Sequence, residues 1–479
     1  MVRPGSNHVV ALRASLTGSI IDRDDPAFDD ARRVWNAAID RRPMLIVRCA
    51  SPDDVAAAIG FAREQGLEIA VRGGTHSVAG SSTLDGALVI DLGELNQVTV
   101  DPRAKRALAG GGALVRDVHA ATQAHGLAVP TGLVSRTGIG GLTLGGGMGW
   151  LTRFGGLTID NVVSAQIVTA DGRILRADEN EHPDLFWAVR GGGGNFGVVT
   201  KFEFRLHEIG PAVHFGFLFW GPENGAEALR LARDVIPTLP REINVLIAGL
   251  NAPPGPFVPP EHQFQPGYAL LVAGFGSAEG HAQAVSRLRA VPPQFEFVDT
   301  MPYVALQRIL DEEDDEWGSL RSYADSVYVE DLSRDAIEVI TQHLPRRGSP
   351  FSSLLLYRLD GAYSEVAEDD TAFGGGRSPR YAVYIVAVCA SRKLLAADRL
   401  WVQSFRDALR PYAIGPGGYV NIMSECDVDR VRASYGPAKY KRLARIKSEY
   451  DAGNLFHGDA DLQPRPGPVA PDVVPGRSR

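Results

Sequence analysis

The residue types that could do chemistry in this chain are concentrated in glycine-rich runs within its first 200 positions. The first is Arg72-Gly73-Gly74-Thr75-His76-Ser77. Small residues there let consecutive backbone N–H groups point at one anion, such as a pyrophosphate, with no Cβ in the way. Arg72 either adds positive charge to that anion or pairs with an acidic neighbour. Taken alone, His76 is a hydrogen-bonding histidine in a turn; the neighbouring runs argue for more. The second run, Val134-Ser135-Arg136-Thr137-Gly138-Ile139-Gly140-Gly141-Leu142-Thr143-Leu144-Gly145-Gly146-Gly147, places apolar side chains regularly among its glycines. Flexible linkers rarely do that, whereas a loop laid closely along a flat ligand accounts for both features.

The third run, Trp187-Ala188-Val189-Arg190-Gly191-Gly192-Gly193-Gly194-Asn195-Phe196-Gly197, formally satisfies GxGxxG through Gly192, Gly194 and Gly197. A dinucleotide fingerprint must open a helix after a strand. Here the run is followed by Val198-Val199-Thr200-Lys201-Phe202-Glu203-Phe204, a strand pattern, so a Rossmann NAD site is rejected. HExxH, GxxxxGKS/T and GxSxG are absent from the sequence, which leaves zinc-hydrolase, P-loop and α/β-hydrolase chemistry without local support.

The order of these runs resembles the PCMH-type FAD-binding domain of vanillyl-alcohol-oxidase-type flavoproteins, and most of all their berberine-bridge-like oxidases. RGGTHS is followed by GIGGLTLGGG, LTIDNV and HPDLFWAVRGGGGNFGVVT within residues 40–209, and YVNIM and YDAGNLF resemble the family's closing segment, which returns to the flavin domain. The resemblance implies an FAD held by Arg72, Gly73, Gly74, Thr75 and Ser77, by Thr137, Gly138, Gly140, Gly141, Thr143 and Gly147, by Gly193, Asn195, Gly197, Val198 and Val199, and by Tyr419 and Asn421. His76 stands where the family bonds histidine to the flavin 8α-methyl group. Many members add a second bond from a cysteine; that position here is Val134, so the resemblance implies a monocovalent FAD attached through His76.

Other family positions depart from the pattern. The base that plant-type members carry as the second tyrosine of Y-x-N-Y is Ile422, and the tyrosine of GGGYG is Met148. On the strand LLLYRLDGAY, similar to the family's substrate-domain strand facing the flavin, Tyr357 lies near the place where carbohydrate-oxidising relatives hold an acid. Two readings stand: Tyr357 is a catalytic base if Arg358 lowers its pKa, or it is an aromatic wall residue. A neutral amine that loses hydride directly would need no base. The family's oxygen gatekeeper corresponds to Thr137, polar where relatives are apolar. The activity implied is an oxidase that takes hydride from a C–H next to oxygen or nitrogen of an alcohol, sugar, amine or biosynthetic intermediate, with O2 as the acceptor. A dehydrogenase of the same fold and a non-catalytic flavin-binding protein are the alternatives.

These runs need a scaffold, and the patterning supplies one. Ser51 reads as an N-cap with Pro52 at the first helical position and Gly66 as the stop, between strands at 44–50 and 67–74: a β-α-β unit. Beyond Gly210-Pro211, strands recur with helices between them. The expected class is α+β: an FAD-binding domain at 1–209 with its core at about 40–209, a substrate domain on an antiparallel sheet at 210–412, a returning segment at 413–461, and a disordered tail at 462–479. At 479 residues the chain has ample length for two cores. A net charge of −8, with basic and acidic residues interspersed, gives no footprint for nucleic acid or an anionic membrane. The acidic run Asp311–Glu316 reads as a solvated face. Cys49, Cys389 and Cys426 are far apart and show no CxxC spacing, so neither a disulfide framework nor a metal site is expected, though a single bridge stays open. No apolar stretch is long enough for a membrane span and no secretory signal is evident, so a cytoplasmic protein with a small-molecule substrate is expected. Because the GxGxxG match precedes a strand, titration with NADH and NADPH is expected to leave tryptophan fluorescence without saturable quenching; saturation would reinstate the nucleotide site.

Overall fold

Ser51 starts the first long helix, Pro52–Gln65. Its hydroxyl accepts from the Asp54 N–H at 3.1 Å and the Asp54 carboxylate accepts from the Ser51 N–H at 3.2 Å, so the two residues satisfy each other's exposed donors. Pro52 needs no donor there, and Gly66 ends the helix at φ 63°. The flanking strands Leu45–Arg48 and Ile69–Arg72 both run parallel to Leu88–Asp91, which lies between them, and Ser19–Asp22 closes the edge antiparallel. The computed structural model describes residues 6–255, 257–311, 318–425, 428–457 and 461–464. Cys426, the acidic positions 312–316 and the tail from 465 lie outside the described residues.

A second sheet is antiparallel, in the order Val98–Asp101, Arg106–Gly110, Val198–Arg205, Val162–Val168, Ile174–Ala177. Its central strand follows the Trp187–Gly197 run directly, so the helix that a dinucleotide fingerprint requires is replaced by a strand. The 138–147 run departs from expectation in the other direction. It folds as a short helix, Ile139–Gly145, rather than a loop. Ile139 and Leu142, three positions apart, share one face and pack into the core of this half of the molecule.

The third sheet has seven antiparallel strands, drawn from residues 213–389: Phe295–Met301, Val213–Trp220, Pro266–Gly274, Ile243–Asn251, Ser353–Leu359, Arg380–Cys389, Arg321–Val329. Alternation along each strand divides its residues between two cores. Leu218, Val245, Leu270, Leu354 and Val383 face helices that include Gly225–Val235, Arg334–His343 and Arg392–Leu409. Phe217, Leu246, Leu271, Tyr357 and Tyr384 face Met148, Trp150, Leu157 and Tyr419 of the glycine-rich half. The expected α+β class is thus realised, and no described helix is long and apolar enough to cross a membrane.

Buried ion pairs lock the two halves together. Arg377 binds Asp160 of the LTIDNV segment through both terminal nitrogens, at 2.9 and 2.7 Å, with side-chain exposures of 4% and 5%. Arg153 donates to Asp360 at 2.5 Å. Removing one partner of a buried pair leaves an uncompensated charge at a cost of about 3–5 kcal/mol. Arg377→Leu is therefore expected to lower the unfolding free energy by roughly that amount in urea titrations, and adding Asp160→Asn should recover part of it. An unchanged urea midpoint would show that the pair does not staple the halves.

Candidate active site

The first two glycine runs meet backbone to backbone. A Cβ on Gly74 would lie 2.2 Å from the Gly138 nitrogen, and one on Gly138 would lie 2.3 Å from the Gly74 nitrogen, so neither position admits a larger residue. Beside this seam is a cavity of about 780 Å³, walled by the three glycine runs, the C-terminal segment and the inner face of the seven-stranded sheet. Gly73, Gly74, Thr75, His76, Ser77, Thr137, Gly138, Gly140, Gly141, Gly193, Asn195, Gly197, Val198, Val199, Tyr419, Asn421 and Tyr357 all line it.

Three of the residues singled out from sequence do not. Arg72 turns away, its Nε 3.7 Å from Asp91 and a terminal nitrogen on the Ala31 carbonyl, so it pairs with an acidic neighbour rather than lending charge to an anion. Thr143 is fully buried, its hydroxyl without a partner. Gly147 acts at one remove: its N–H donates to the Tyr419 hydroxyl at 2.8 Å.

His76 follows Thr75, which holds φ 60°, a left-handed conformation uncommon for a β-branched residue. The imidazole stacks on Trp35, with ring centroids 5.1 Å apart and planes 19° from parallel. Its Nε2 is buried and has no hydrogen-bond partner, as are the hydroxyls of Thr75, Ser82 and Ser322 on the same cavity. Burial, helped by the charge of Arg136, pushes the His76 pKa down to about 4, so the ring is neutral at ordinary pH. Unsatisfied buried polar atoms beside glycine backbone are what a long polar ligand such as FAD would complete, and the cavity residues fit it.

The sheet supplies the opposite wall through Ser353, Leu355 and Tyr357, through Tyr384, Val386 and Val388, and through Ser322 and Ala324. Tyr357 packs against Tyr384 at 4.7 Å, Tyr384 stacks on Tyr419 at 5.8 Å, and the Tyr384 hydroxyl donates to the Met148 sulfur at 3.0 Å. The Tyr419 hydroxyl also accepts from Asn421 at 3.0 Å, and the Asn421 amide donates to the Leu142 carbonyl at 3.1 Å, which pins the C-terminal segment to the glycine helix. Burial raises the pKa of Tyr357 far above the ordinary tyrosine value, and neighbouring Tyr419 raises it further. Arg358 does not counter this, so the condition attached to the catalytic-base reading of Tyr357 is not met. As the next residue on a strand it points to the opposite face, donating to Asp360 at 2.9 Å and lying over the Tyr381 ring. Val134 and Ile422, at the positions that the resemblance assigns to a thiol and a base, line the cavity.

Several residues carry the site without having been legible in its motifs. Lys447, completely buried, donates to the carbonyl of Asn195 at 2.9 Å, to the carbonyl of Phe456 at 2.5 Å and to Asp451 at 2.6 Å, tying the final helix to the third glycine run. Burial lowers its pKa and Asp451 opposes that. In the sequence, Lys447 and Asp451 look like an ordinary solvent-facing pair four residues apart. Phe456 and His457 line the cavity beside Val198. Trp35 precedes every motif and nothing in the sequence marks it.

The FAD binding domain family model matches residues 43–178, and the berberine and berberine-like model matches residues 418–459. The chain is 30% identical over 476 residues to (R)-6-hydroxynicotine oxidase of Paenarthrobacter nicotinovorans, spanning 95% of this chain and 98% of the relative. An FAD-linked oxidoreductase of Bacillus subtilis (strain 168) is 29% identical over 470 residues, spanning 94% and 98%. Among solved structures, 6-hydroxy-D-nicotine oxidase from Arthrobacter nicotinovorans superposes with a TM-score of 0.81 at 28% identity over 94% of this chain and 98% of that one. Glucooligosaccharide oxidase from Acremonium strictum shares the fold, with a TM-score of 0.83 at 22% identity over 96% and 99%. With both halves of the cavity matched in this way, the chain belongs to the berberine-bridge-like FAD-linked oxidoreductases.

Proposed function

We propose that this flavoprotein is an oxidase for a small, uncharged, largely apolar amine, that it passes the electrons to O2 with hydrogen peroxide as product, and that its FAD is bonded once, through His76. The observation that carries the substrate class is the sheet wall. Leu250, Asn251, Ser322, Ala324, Ser353, Leu355, Tyr357, Tyr384, Val386 and Val388 face the cavity, and none is charged. An ionised substrate would lose its hydration there without a partner. A sugar would also have to set hydroxyls against Leu250, Ala324, Leu355, Val386 and Val388, which cannot replace the hydrogen bonds it leaves in water.

FAD, when bound, supplies the hydride acceptor and the route for electrons to dioxygen. The chain supplies position and an uncharged sheet wall. No group on that wall is suited to take a proton from an alcohol: Tyr357 is held protonated and Ile422 occupies the usual base position. An amine bound in its neutral form needs none, because the nitrogen lone pair stabilises the carbon as hydride departs and the product leaves as an iminium. The substrate named for (R)-6-hydroxynicotine oxidase is compatible with this class. A dehydrogenase of the same fold is the second reading, favoured by Thr137, whose polar side chain is on the cavity at the gatekeeper position. Reoxidation in air-saturated buffer separates the two.

His76 is suited to attachment because it is neutral and its Nε2 has no hydrogen-bond partner among the described residues. Glucooligosaccharide oxidase is described as carrying 6-S-cysteinyl, 8α-N1-histidyl FAD. Here Val134 cannot form a second bond. Acid precipitation is expected to leave the flavin in the pellet, with an intact mass equal to the chain plus one FAD, less the hydrogens lost. His76→Ala should fold and bind FAD but release it into the acid supernatant. Free FAD from the wild type would sink the covalent assignment.

In anaerobic mixing, apolar amines with a C–H on the saturated carbon next to nitrogen are expected to bleach the flavin where sugars and simple alcohols do not. Tyr357→Phe should slow that reduction by less than about 10-fold, against the roughly 100-fold or greater loss that follows removal of a general base. A loss of the larger size would restore Tyr357 as the base, and bleaching by sugars alone would end the amine assignment.

A further inference from the structure

The residues ahead of the first parallel strand belong to none of the glycine motifs, yet they deliver Trp35 to the face of His76. The adjoining residue sets this contact. Asn36, 1% exposed, donates to the Val78 carbonyl at 3.2 Å and to the Ser322 carbonyl at 2.9 Å, and accepts from the Ser322 and Ala38 N–H groups at 2.9 and 3.0 Å. Ala37 adds a backbone bond to the Leu320 carbonyl at 2.9 Å. The segment is thus gripped both by the loop that carries His76 and by the edge strand of the seven-stranded sheet. No hydrogen bond from a described residue orients the imidazole, whose Nε2 is buried and unpartnered. The indole face lies nearly parallel to the ring, 19° between planes.

We infer that Trp35 is a positioning residue for the attachment of FAD to His76: its indole face holds the imidazole plane and stabilises the positive charge the ring carries while the new bond forms. The inference rests on the reading of His76 as the attachment residue. Attachment forms one C–N bond between an imidazole nitrogen and the flavin 8α carbon. One methyl C–H bond and the imidazole N–H bond break, two protons leave, and the released electron pair passes to dioxygen, which becomes hydrogen peroxide. The ring enters neutral. Between formation of the C–N bond and loss of the N–H proton it is cationic, and among the described residues the carboxylate on the cavity, Asp311, is already engaged by the Ser135 N–H and hydroxyl at 2.8 and 2.5 Å. A tryptophan face attracts a cation by about 0.5–2 kcal/mol, more strongly than phenylalanine does. Burial keeps the resting ring neutral and available, while the stacked indole lowers the cost of the charged stage.

The test uses the full chain made in riboflavin-starved cells and then supplied with FAD. Attachment is followed by acid-precipitable flavin and intact mass. Trp35→Leu is expected to slow attachment by up to about 30-fold, the rate equivalent of the upper cation–π figure, and Trp35→Phe to restore most of the rate. Non-covalent FAD affinity, measured with each substitution in a His76→Ala background, should stay unchanged. A Trp35→Leu protein that attaches FAD at the wild-type rate would overturn the inference. So would a parallel fall in non-covalent affinity, which would make Trp35 a packing residue. A wild-type chain that never retains FAD in acid overturns the His76 reading and this inference with it, a result distinct from the other two.

Discussion

The contact between Gly74 and Gly138 is the constraint on which the site depends. Two backbone segments approach more closely than a Cβ allows, so the turn carrying His76 and the helix Ile139–Gly145 share one seam. Thr75 takes a left-handed conformation within that turn, and His76 emerges from it onto the cavity. The other glycine run joins through Lys447, whose three bonds hold the Asn195 and Phe456 carbonyls around one buried ammonium. Along the glycine runs, backbone forms most of the cavity surface, and Arg136 is the charged side chain that joins it. Arg72 does not join it, since its charge is spent on Asp91 outside the cavity.

The second organising feature is the two-residue repeat of the seven-stranded sheet. Each strand sends one set of side chains toward the helices and the alternate set toward the cavity. Charges are sorted by the same rule. Asp360, with Arg153 and Arg358, lies off the cavity wall, and so does Asp325, with Arg406 and Arg430. What remains on the inner face is neutral. In such surroundings ionisation is disfavoured for acids and bases alike, which is why His76 stays unprotonated and Tyr357 and Tyr384 stay protonated. The electrostatics of the site follow from strand geometry and burial together, and the proposed hydride transfer without a protein base is built on them.

Much of this was legible from residue order because it is written in short-range patterns. The Ser51-Pro52 start and Gly66 stop of the first helix, the strand after Gly197 and the glycine runs around His76 each depend on neighbours within a few residues, where propensity and backbone sterics act directly. The 138–147 run was less legible: its glycines suggested a loop, whereas burial of Ile139 and Leu142 stabilised a helix. The strand Arg321–Val329 was hidden because Asp325 and Ser326 break its apolar pattern, and Asp325 is tolerated there only because Arg406 and Arg430 reach it from elsewhere in the chain.

By itself the sequence determined the cofactor class, the position of the histidine proposed to hold it and the absence of both a second attachment thiol and the usual tyrosine base, since each is a matter of residue type at a motif position. Tertiary structure alone decided which way side chains face and whom they meet. It turned Arg72 toward Asp91, put Arg358 on the far side of the sheet from the cavity, and brought Asn36 to Ser322 across 286 positions, so that Trp35 lies on His76. Local periodicity encodes which residues of one element share a face. Only the packing of elements distant in the chain fixes what that face touches, and with it the dielectric and the partners that set the chemistry of each group.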